Sequence, residues 1–212
     1  MRSIFCIGLL PAALAVSASA QVVESGRAFE PSVTPWVGLS SFGDRIRTQN
    51  SVSDYRSSPT VGLRAEFPLT RRIGLLGGAS VAPFSKQSEE NVATRAFFDD
   101  VVIYRADAGL GWKFKPAAPV FFYGGGGVFG ATKYALRDTE GSPLDPMAAV
   151  GLGYDRASSG AWSFRLMYTS YFVFPSAPDP PPDSPSIVPE AKSLAHDWSL
   201  QFGGRYTFGR GR

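Results

Sequence analysis

The feature that most constrains this chain is a strict alternation of apolar and polar side chains close to its C-terminus. Between residues 197 and 208, every second position is apolar or glycine and the positions between them are polar or small. The apolar positions are Trp198, Leu200, Phe202, Tyr206 and Phe208. Successive side chains of a β-strand point to opposite faces, so this period predicts a strand with one apolar and one polar face.

The same alternation recurs upstream in three further segments. Residues 102–114 hold an unbroken series of in-phase apolar positions, and residues 60–67 and 162–169 show shorter series. Four weaker segments, rich in glycine and alanine, lie at 33–39, 73–83, 120–131 and 148–154. Together with the C-terminal segment they predict eight strands.

The connections between these strands fall into two alternating classes. Short links at 69–72, 115–119 and 156–161 alternate with long polar links at 42–58, 85–100, 132–146 and 172–196. An up-and-down barrel places every second link at the same end, and membrane barrels combine short turns at one end with long loops at the other. We therefore predict an all-β fold, an eight-stranded antiparallel up-and-down transmembrane β-barrel, with an interior filled by side chains rather than a wide pore.

The N-terminal segment has the composition of an export signal. Arg2 gives a positive start, residues 4–16 form an apolar centre, and Ala18-Ser19-Ala20 is a small-residue cleavage site. The predicted organisation is a signal peptide at 1–20, a short periplasmic segment at 21–31, an outer-membrane barrel at 32–208 and a basic tail at 209–212.

Composition argues against several other functions. The single cysteine, Cys6, lies in the predicted signal peptide, so the mature chain would have no thiol for a disulfide, a metal site or a nucleophile. The net charge of +3 is too small to indicate a nucleic-acid partner. Metal-ligand spacings are absent, and Gly124 to Gly127 lack the Lys-Ser/Thr of a phosphate loop, so no metal and no cofactor are expected.

Several charged residues share the polar parity of the predicted strands and would point into the lumen. Buried charges need partners, so the first interpretation is a structural ion-pair network filling a narrow barrel. The alternative is a proton or ion path, or a gate that opens when ion pairs exchange. The residues concerned are Arg64, Glu66, Arg105, Asp107, Arg165 and Arg205.

Aromatic residues cluster near the predicted strand ends. Such residues form interfacial girdles in membrane barrels, although a soluble barrel could also use them in its core. Outward parity favours contact with lipid. The predicted girdle residues are Trp36, Phe67, Trp112, Phe114, Tyr123, Trp162, Trp198, Tyr206 and Phe208.

His196 is the only histidine, and it shares its parity with Ser170 on the preceding predicted strand. A Ser/His pair that faces lipid would suit an acyl hydrolase acting on membrane lipid. No third residue that would orient the imidazole is evident from the sequence. Ser170 and His196 are therefore weak catalytic candidates, and the main expectation is that the protein is not an enzyme.

The last long link, 172–196, contains seven of the 17 prolines. Proline-rich stretches favour extended polyproline II conformations over regular strand. The link is expected to be an external loop whose prolines resist pairing with neighbours, or a stiff contact surface for a host or another partner.

The closing segment resembles the assembly signal of outer-membrane barrels, which has a polar residue, a glycine two positions on, and two aromatic residues near the C-terminus. The matching residues here are Gln201, Gly203, Tyr206 and Phe208. The usual signal ends at the aromatic residue, whereas residues 209–212 follow here. The resemblance to small OmpA-like and opacity-like outer-membrane proteins covers the predicted mature chain and implies insertion by the barrel-insertion machinery.

Three functions remain open on this basis. The first is an integral protein of the bacterial outer membrane, surrounded by lipid and lipopolysaccharide, with a structural or adhesin-like role through its long extracellular loops. The second is the lipid-modifying hydrolase that uses Ser170 and His196. The third is a soluble periplasmic barrel that turns its apolar face inward to bind an apolar ligand.

Overall fold

The computed structural model describes residues 28–47, 51–91, 95–132, 144–157, 160–176, 190–191 and 193–209. The predicted signal peptide at 1–20 and residues 210–212 of the predicted tail lie outside the described residues. Among the described residues, no helix is long and apolar enough to cross a membrane.

The described residues form eleven β-strands, numbered in chain order. They are β1 Ser32–Ser41, β2 Ile46–Arg47, β3 Ser51–Tyr55, β4 Ser58–Pro68, β5 Ile73–Asn91, β6 Arg95–Trp112, β7 Val120–Ala131, β8 Asp145–Ala157, β9 Trp162–Val173, β10 Glu190–Ala191 and β11 Ala195–Thr207.

Eight of these strands form a closed wall in the order β1-β4-β5-β6-β7-β8-β9-β11. All neighbours are antiparallel, and the circle is closed by β1 and β11, which pair Val33 with Tyr206 and Ser41 with Trp198. Closure leaves no open sheet edge in the wall, as a strand structure surrounded by lipid requires. The predicted fold class, an eight-stranded antiparallel up-and-down β-barrel, is confirmed.

The two faces of the wall have opposite chemistry. Outward side chains are apolar and exposed, for example Val37 at 60%, Leu63 at 51% and Phe67 at 58%. Inward charged side chains are almost fully buried, with Arg64 at 2% and Asp155 at 1%. This is the reverse of the arrangement that a soluble barrel with an apolar interior requires.

The barrel has a turn end, where the short links lie, and a loop end, where the long links lie. At the turn end, the link between β4 and β5 is tightened by Thr70, whose hydroxyl accepts hydrogen bonds from the backbone N–H groups of Arg72 at 3.2 Å and Ile73 at 3.0 Å. Hydrogen bonds of this kind between a side chain and the backbone stabilise a short turn.

The loop end differs from the prediction, because most of the predicted 85–100 loop is strand: residues 85–91 belong to β5 and residues 95–100 belong to β6. Strands β5 and β6 continue through this segment, pairing Ser85 with Val101 and Lys86 with Asp100, after a register shift between Ala82 and Ser85. The sequence does not reveal this extension, because a strand that projects beyond the apolar wall needs no apolar face and its polar composition is also that of a loop.

Short strands from two other long links join this projection. β3 pairs with the end of β5, β2 pairs with β3, and β10 pairs with β2. The result, here called the loop-end sheet, consists of β10, β2, β3 and the projecting parts of β5 and β6. The proline-rich link thus contributes Glu190 and Ala191 to a sheet.

Two of the predicted girdle residues face inward instead. Trp36 is 6% exposed and Tyr123 is 3% exposed. Trp36 shares its parity with inward Thr34, and it lies against Gly62, where an added Cβ would come within 2.5 Å of the indole. The prediction for Trp36 and Tyr123 was wrong because glycine-rich partner strands leave room for a large ring inside the barrel.

The other predicted girdle residues lie on the outer face, where they are exposed or half-buried. At the turn end, Trp112 lies 4.4 Å from Phe114 between ring centroids, and Trp162 lies 5.1 Å from Tyr206. Phe67 and Phe208 are also exposed. Nearer the loop end, Trp198 stacks on Tyr168 with ring centroids 6.4 Å apart.

Candidate functional site

The lumen at the turn end holds a cluster of five buried charged residues. Arg165 binds Asp155 through two contacts, Nε to Oδ1 at 2.6 Å and Nη2 to Oδ2 at 2.9 Å, and also donates to Glu66 Oε2 at 2.7 Å. Arg205 donates to the other Glu66 oxygen, and Lys113 Nζ lies 3.3 Å from Asp155 Oδ2. Each cation therefore has a carboxylate partner, as buried charge requires.

Two members of this cluster, Lys113 and Asp155, were not among the predicted lumen residues. Asp155 lies just beyond a weak predicted strand, and its partner Arg165 is directly opposite on β9. That cross-strand pair of opposite charges is a signal that could have identified Asp155. Lys113 could have been identified as a lumen residue because it occupies one of the polar positions of the alternating 102–114 segment.

Phe29 closes the turn end of the lumen. Its ring is 3% exposed and meets Phe121 edge to face with centroids 6.0 Å apart. Gly74 gives the ring its space, because a Cβ there would lie 2.6 Å from Phe29. The flanking backbone is tied down, since Glu30 N–H donates to Glu66 Oε1 at 3.3 Å.

The middle of the lumen is occupied by Arg64, Asp107 and Tyr123. Arg64 Nη2 lies 3.1 Å from Asp107 Oδ2, and the Tyr123 hydroxyl donates to the same oxygen at 2.7 Å. The Arg64 guanidinium also lies 5.0 Å from the centre of the Tyr123 ring. Asp107 thus binds two donors at once, which fixes both side chains across the lumen.

The loop end is closed by the segment that follows β1. Arg45 Nη2 donates to Asp197 Oδ2 at 2.6 Å, and Gly43 N–H donates to Asp197 Oδ1 at 3.0 Å. The Arg45 guanidinium lies 3.6 Å from the centre of the Phe129 ring. Burial raises the pKa of the nearby Tyr55 hydroxyl above its ordinary value, and Arg45 acts in the opposite direction.

The six predicted lumen residues therefore occupy three layers. Glu66, Arg165 and Arg205 meet in the turn-end cluster, and Arg64 meets Asp107 in the middle. Arg105 lies closer to the loop end, where its Nη2 donates to Ser40 Oγ at 2.6 Å. Among the described residues, no group of acidic residues, histidine or cysteine could hold a metal ion.

Ser170 and His196 lie on the outer face but are not paired across the strands. The register sets Ser170 opposite Trp198 and His196 opposite Phe172, so the two candidates are diagonal neighbours. The Ser170 hydroxyl donates to the Tyr168 hydroxyl at 3.2 Å, and the His196 ring lies 5.3 Å from the Phe172 ring. The described contacts give the imidazole no orienting carboxylate.

The residues that resemble an assembly signal divide between the faces of β11. Gln201 is buried in the lumen, where its amide donates to Ser199 Oγ at 2.8 Å, and Gly203 has the same inward parity. Tyr206 and Phe208 lie on the outer face with ring centroids 5.5 Å apart.

No family model matches the chain, and no curated protein matches its sequence. Solved structures do match its fold. Neisserial surface protein A shares 13% identity, with a TM-score of 0.52 and coverage of 84% of this chain and 97% of that one. The outer membrane protein OprG from Pseudomonas aeruginosa shares 12% identity, with a TM-score of 0.53 and coverage of 87% and 98%.

The outer membrane protein AlkL, solved in lipid bilayers, shares 15% identity, with a TM-score of 0.54 and coverage of 86% and 92%. In each case the match spans nearly the whole of the other barrel. The chain thus has the fold of the small eight-stranded outer-membrane β-barrels.

Proposed function

We infer that this protein is an integral barrel of the bacterial outer membrane whose loop-end sheet makes contacts at the cell surface. In this orientation the turn end faces the periplasm and the loop end faces the exterior, as in membrane barrels generally. The exposed apolar wall supports a lipid environment. The observation that carries the proposed function is the loop-end sheet itself.

The loop-end sheet is an ordered extension of the barrel wall. β5 and β6 have 19 and 18 residues, against 10 to 13 residues in the other wall strands. A membrane-crossing strand needs only about 9–11 residues. The remaining length of β5 and β6 therefore lies outside the apolar band, where a hydrogen-bonded sheet loses less entropy on binding than a free loop would.

The closed lumen argues against transport as the main function. Phe29 fills the turn end, Arg45 and its aromatic neighbours fill the loop end, and ion pairs cross the space between them. A barrel of this strand number is normally filled by side chains. In planar lipid bilayers we expect no stable ion-conducting state, and a steady open channel would contradict this part of the proposal.

The surface role can be tested by removing the loop-end sheet while keeping the barrel. Replacing residues 87–99 with an Asn-Gly turn joins Lys86 to Asp100, which already face each other across the hairpin. Cells that display the wild type should attach to epithelial layers more strongly than cells that display the shortened variant.

The control is Lys115→Gln, an exposed change in a turn-end link that should leave attachment unchanged. All three proteins must show the heat-dependent electrophoretic shift of a folded barrel. If the shortened variant folds and attaches as well as the wild type, the loop-end sheet is not the contact surface.

A further inference from the structure

Arg105 is the one buried cation of the described lumen that has no carboxylate within ion-pair distance in the described residues. It is 4% exposed, whereas the other buried cations, Arg45, Arg64, Lys113, Arg165 and Arg205, each contact Asp or Glu. A buried charge without a counter-charge is costly, so this guanidinium needs a further partner.

The contacts that Arg105 does make carry no full negative charge. Its Nη2 donates to Ser40 Oγ at 2.6 Å, and its guanidinium lies 4.5 Å from the centre of the Tyr171 ring and 5.1 Å from that of Phe42. Aromatic faces attract a cation only weakly compared with a carboxylate. Its Nη1 is buried and has no hydrogen-bond partner among the described residues.

The buried carboxylates of the middle and loop-end layers are already engaged. Asp107, two residues along β6, binds Arg64 and Tyr123. Asp197, nearer the loop end, binds Arg45 and a backbone N–H group. Asp145, which is 0% exposed at the loop-end start of β8, accepts a hydrogen bond from the Ser176 N–H group at 2.8 Å. None of these three carboxylates is within ion-pair distance of Arg105, so its guanidinium has no direct counter-charge among the described residues.

Arg105 reaches from β6 across the lumen to an arc of buried hydroxyl groups. Ser40 on β1 is opposite Ser199 on β11, and Ser199 is opposite Thr169 on β9, with exposures of 0%, 1% and 0%. Thr60 on β4 adds a fourth hydroxyl, which donates to Ser40 Oγ at 2.9 Å. The Thr169 hydroxyl has no hydrogen-bond partner among the described residues.

We propose that Arg105 and this hydroxyl arc form a binding site for a small monovalent anion of the halide class, with chloride as the physiological form. Hydroxyl groups rotate to donate, so Ser40, Ser199, Thr169 and Nη1 can direct hydrogens at one ion, while Thr60 donates to Ser40 and orients it. No described carboxylate lies within ion-pair distance of Arg105 to compete with it. A monatomic ion is small enough for a lumen that is otherwise filled by side chains. It would be enclosed when the barrel closes during folding.

Bromide locates the site directly. The mature barrel is refolded and crystallised in sodium bromide, and anomalous diffraction is recorded at the bromine absorption edge. We expect an anomalous peak in the lumen within about 3.5 Å of Arg105 Nη1 and of at least one arc hydroxyl. Ordered barrels with no anomalous peak in this layer would overturn the proposal.

Solution stability provides a second test. Chloride replaces gluconate at constant ionic strength, and the unfolding midpoint of the wild type should rise saturably by about 2–4 °C. Arg105→Met should abolish the rise, while Arg72→Met, at an exposed turn-end position, should keep it. An equal rise in Arg105→Met, or none in the wild type, would refute the site.

Should Arg105→Met fail to fold, the double variant Ser199→Ala/Thr169→Val removes two arc hydroxyls and keeps the cation. It should raise the chloride concentration for half-maximal stabilisation at least tenfold. An unchanged chloride response in this variant would also count against the proposal.

Discussion

Replacing Asp155 with asparagine removes one charge from the turn-end cluster at nearly constant volume. Asp155 is 1% exposed and accepts both contacts from Arg165, with Lys113 at 3.3 Å. In the variant, Lys113, Arg165 and Arg205 would share the single cluster carboxylate of Glu66. Removing one partner of a buried ion pair costs about 3–5 kcal/mol. At about 2–4 °C per kcal/mol for a chain of this size, the midpoint should fall by roughly 6–20 °C.

The matched control is the same chemical change at an exposed ion pair. Asp100 is 87% exposed and lies 3.7 Å from Lys86 Nζ. Water and salt screen such a pair, and its contribution to stability is below about 1 kcal/mol. Asp100→Asn should therefore leave the midpoint within about 4 °C of the wild type.

Both variants can be compared by refolding into phosphatidylcholine vesicles, heating in steps and separating folded from unfolded protein by electrophoresis without boiling. We expect Asp155→Asn to lose its folded band well below the temperature at which Asp100→Asn does. Equal midpoints for the two variants would refute the reasoning that the turn-end cluster stabilises the barrel through paired buried charge.

Two further predictions concern the packing of the lumen. Gly153→Val should abolish refolding, because a Cβ at this position would lie 2.0 Å from the fully buried ring of Phe121. Gly124→Ala is the control and should refold like the wild type, because a Cβ there would have no atom within 4 Å. The folded fraction on an unboiled gel measures both variants. Phe29→Ala should open the turn end of the lumen. A cysteine introduced by Leu76→Cys in the mature chain should then react with maleimide several times faster than the same cysteine does when Phe29 is present. Equal labelling rates would show that Phe29 does not close the lumen.

The strands were predictable where one face must meet lipid and the other must not. The alternation ending at Phe208 and the series at 102–114 both correspond to wall strands, because a two-residue period matches the geometry of a strand and not that of a helix. The projecting hairpin of β5 and β6 was missed because strand residues beyond the apolar band need no alternation of apolar and polar side chains. Trp36 was misassigned because the space for its ring inside the barrel comes from Gly62 and Gly203 on the neighbouring strands, which the sequence of its own strand does not show.

The candidate site was predictable only in part. Parity identified charged side chains on the polar face, but pairing across the lumen depends on contacts such as Arg165 with Glu66, separated by 99 residues. Strand register and side-chain length decide those contacts, and neither is fixed by a single sequence. The burial of Phe29 was likewise not foreseen, because the predicted 21–31 segment has no alternating pattern of its own.

The most direct test of the account is the accessibility of single cysteines in intact Gram-negative cells. Asp100→Cys lies in the loop-end sheet, and Lys115→Cys lies in a turn-end link; both positions are exposed. A membrane-impermeant maleimide should label Asp100→Cys in intact cells and should label Lys115→Cys only after the outer membrane is permeabilised. Labelling of Lys115→Cys in intact cells, or release of both variants by osmotic shock, would contradict an outer-membrane barrel with its loop-end sheet at the cell surface.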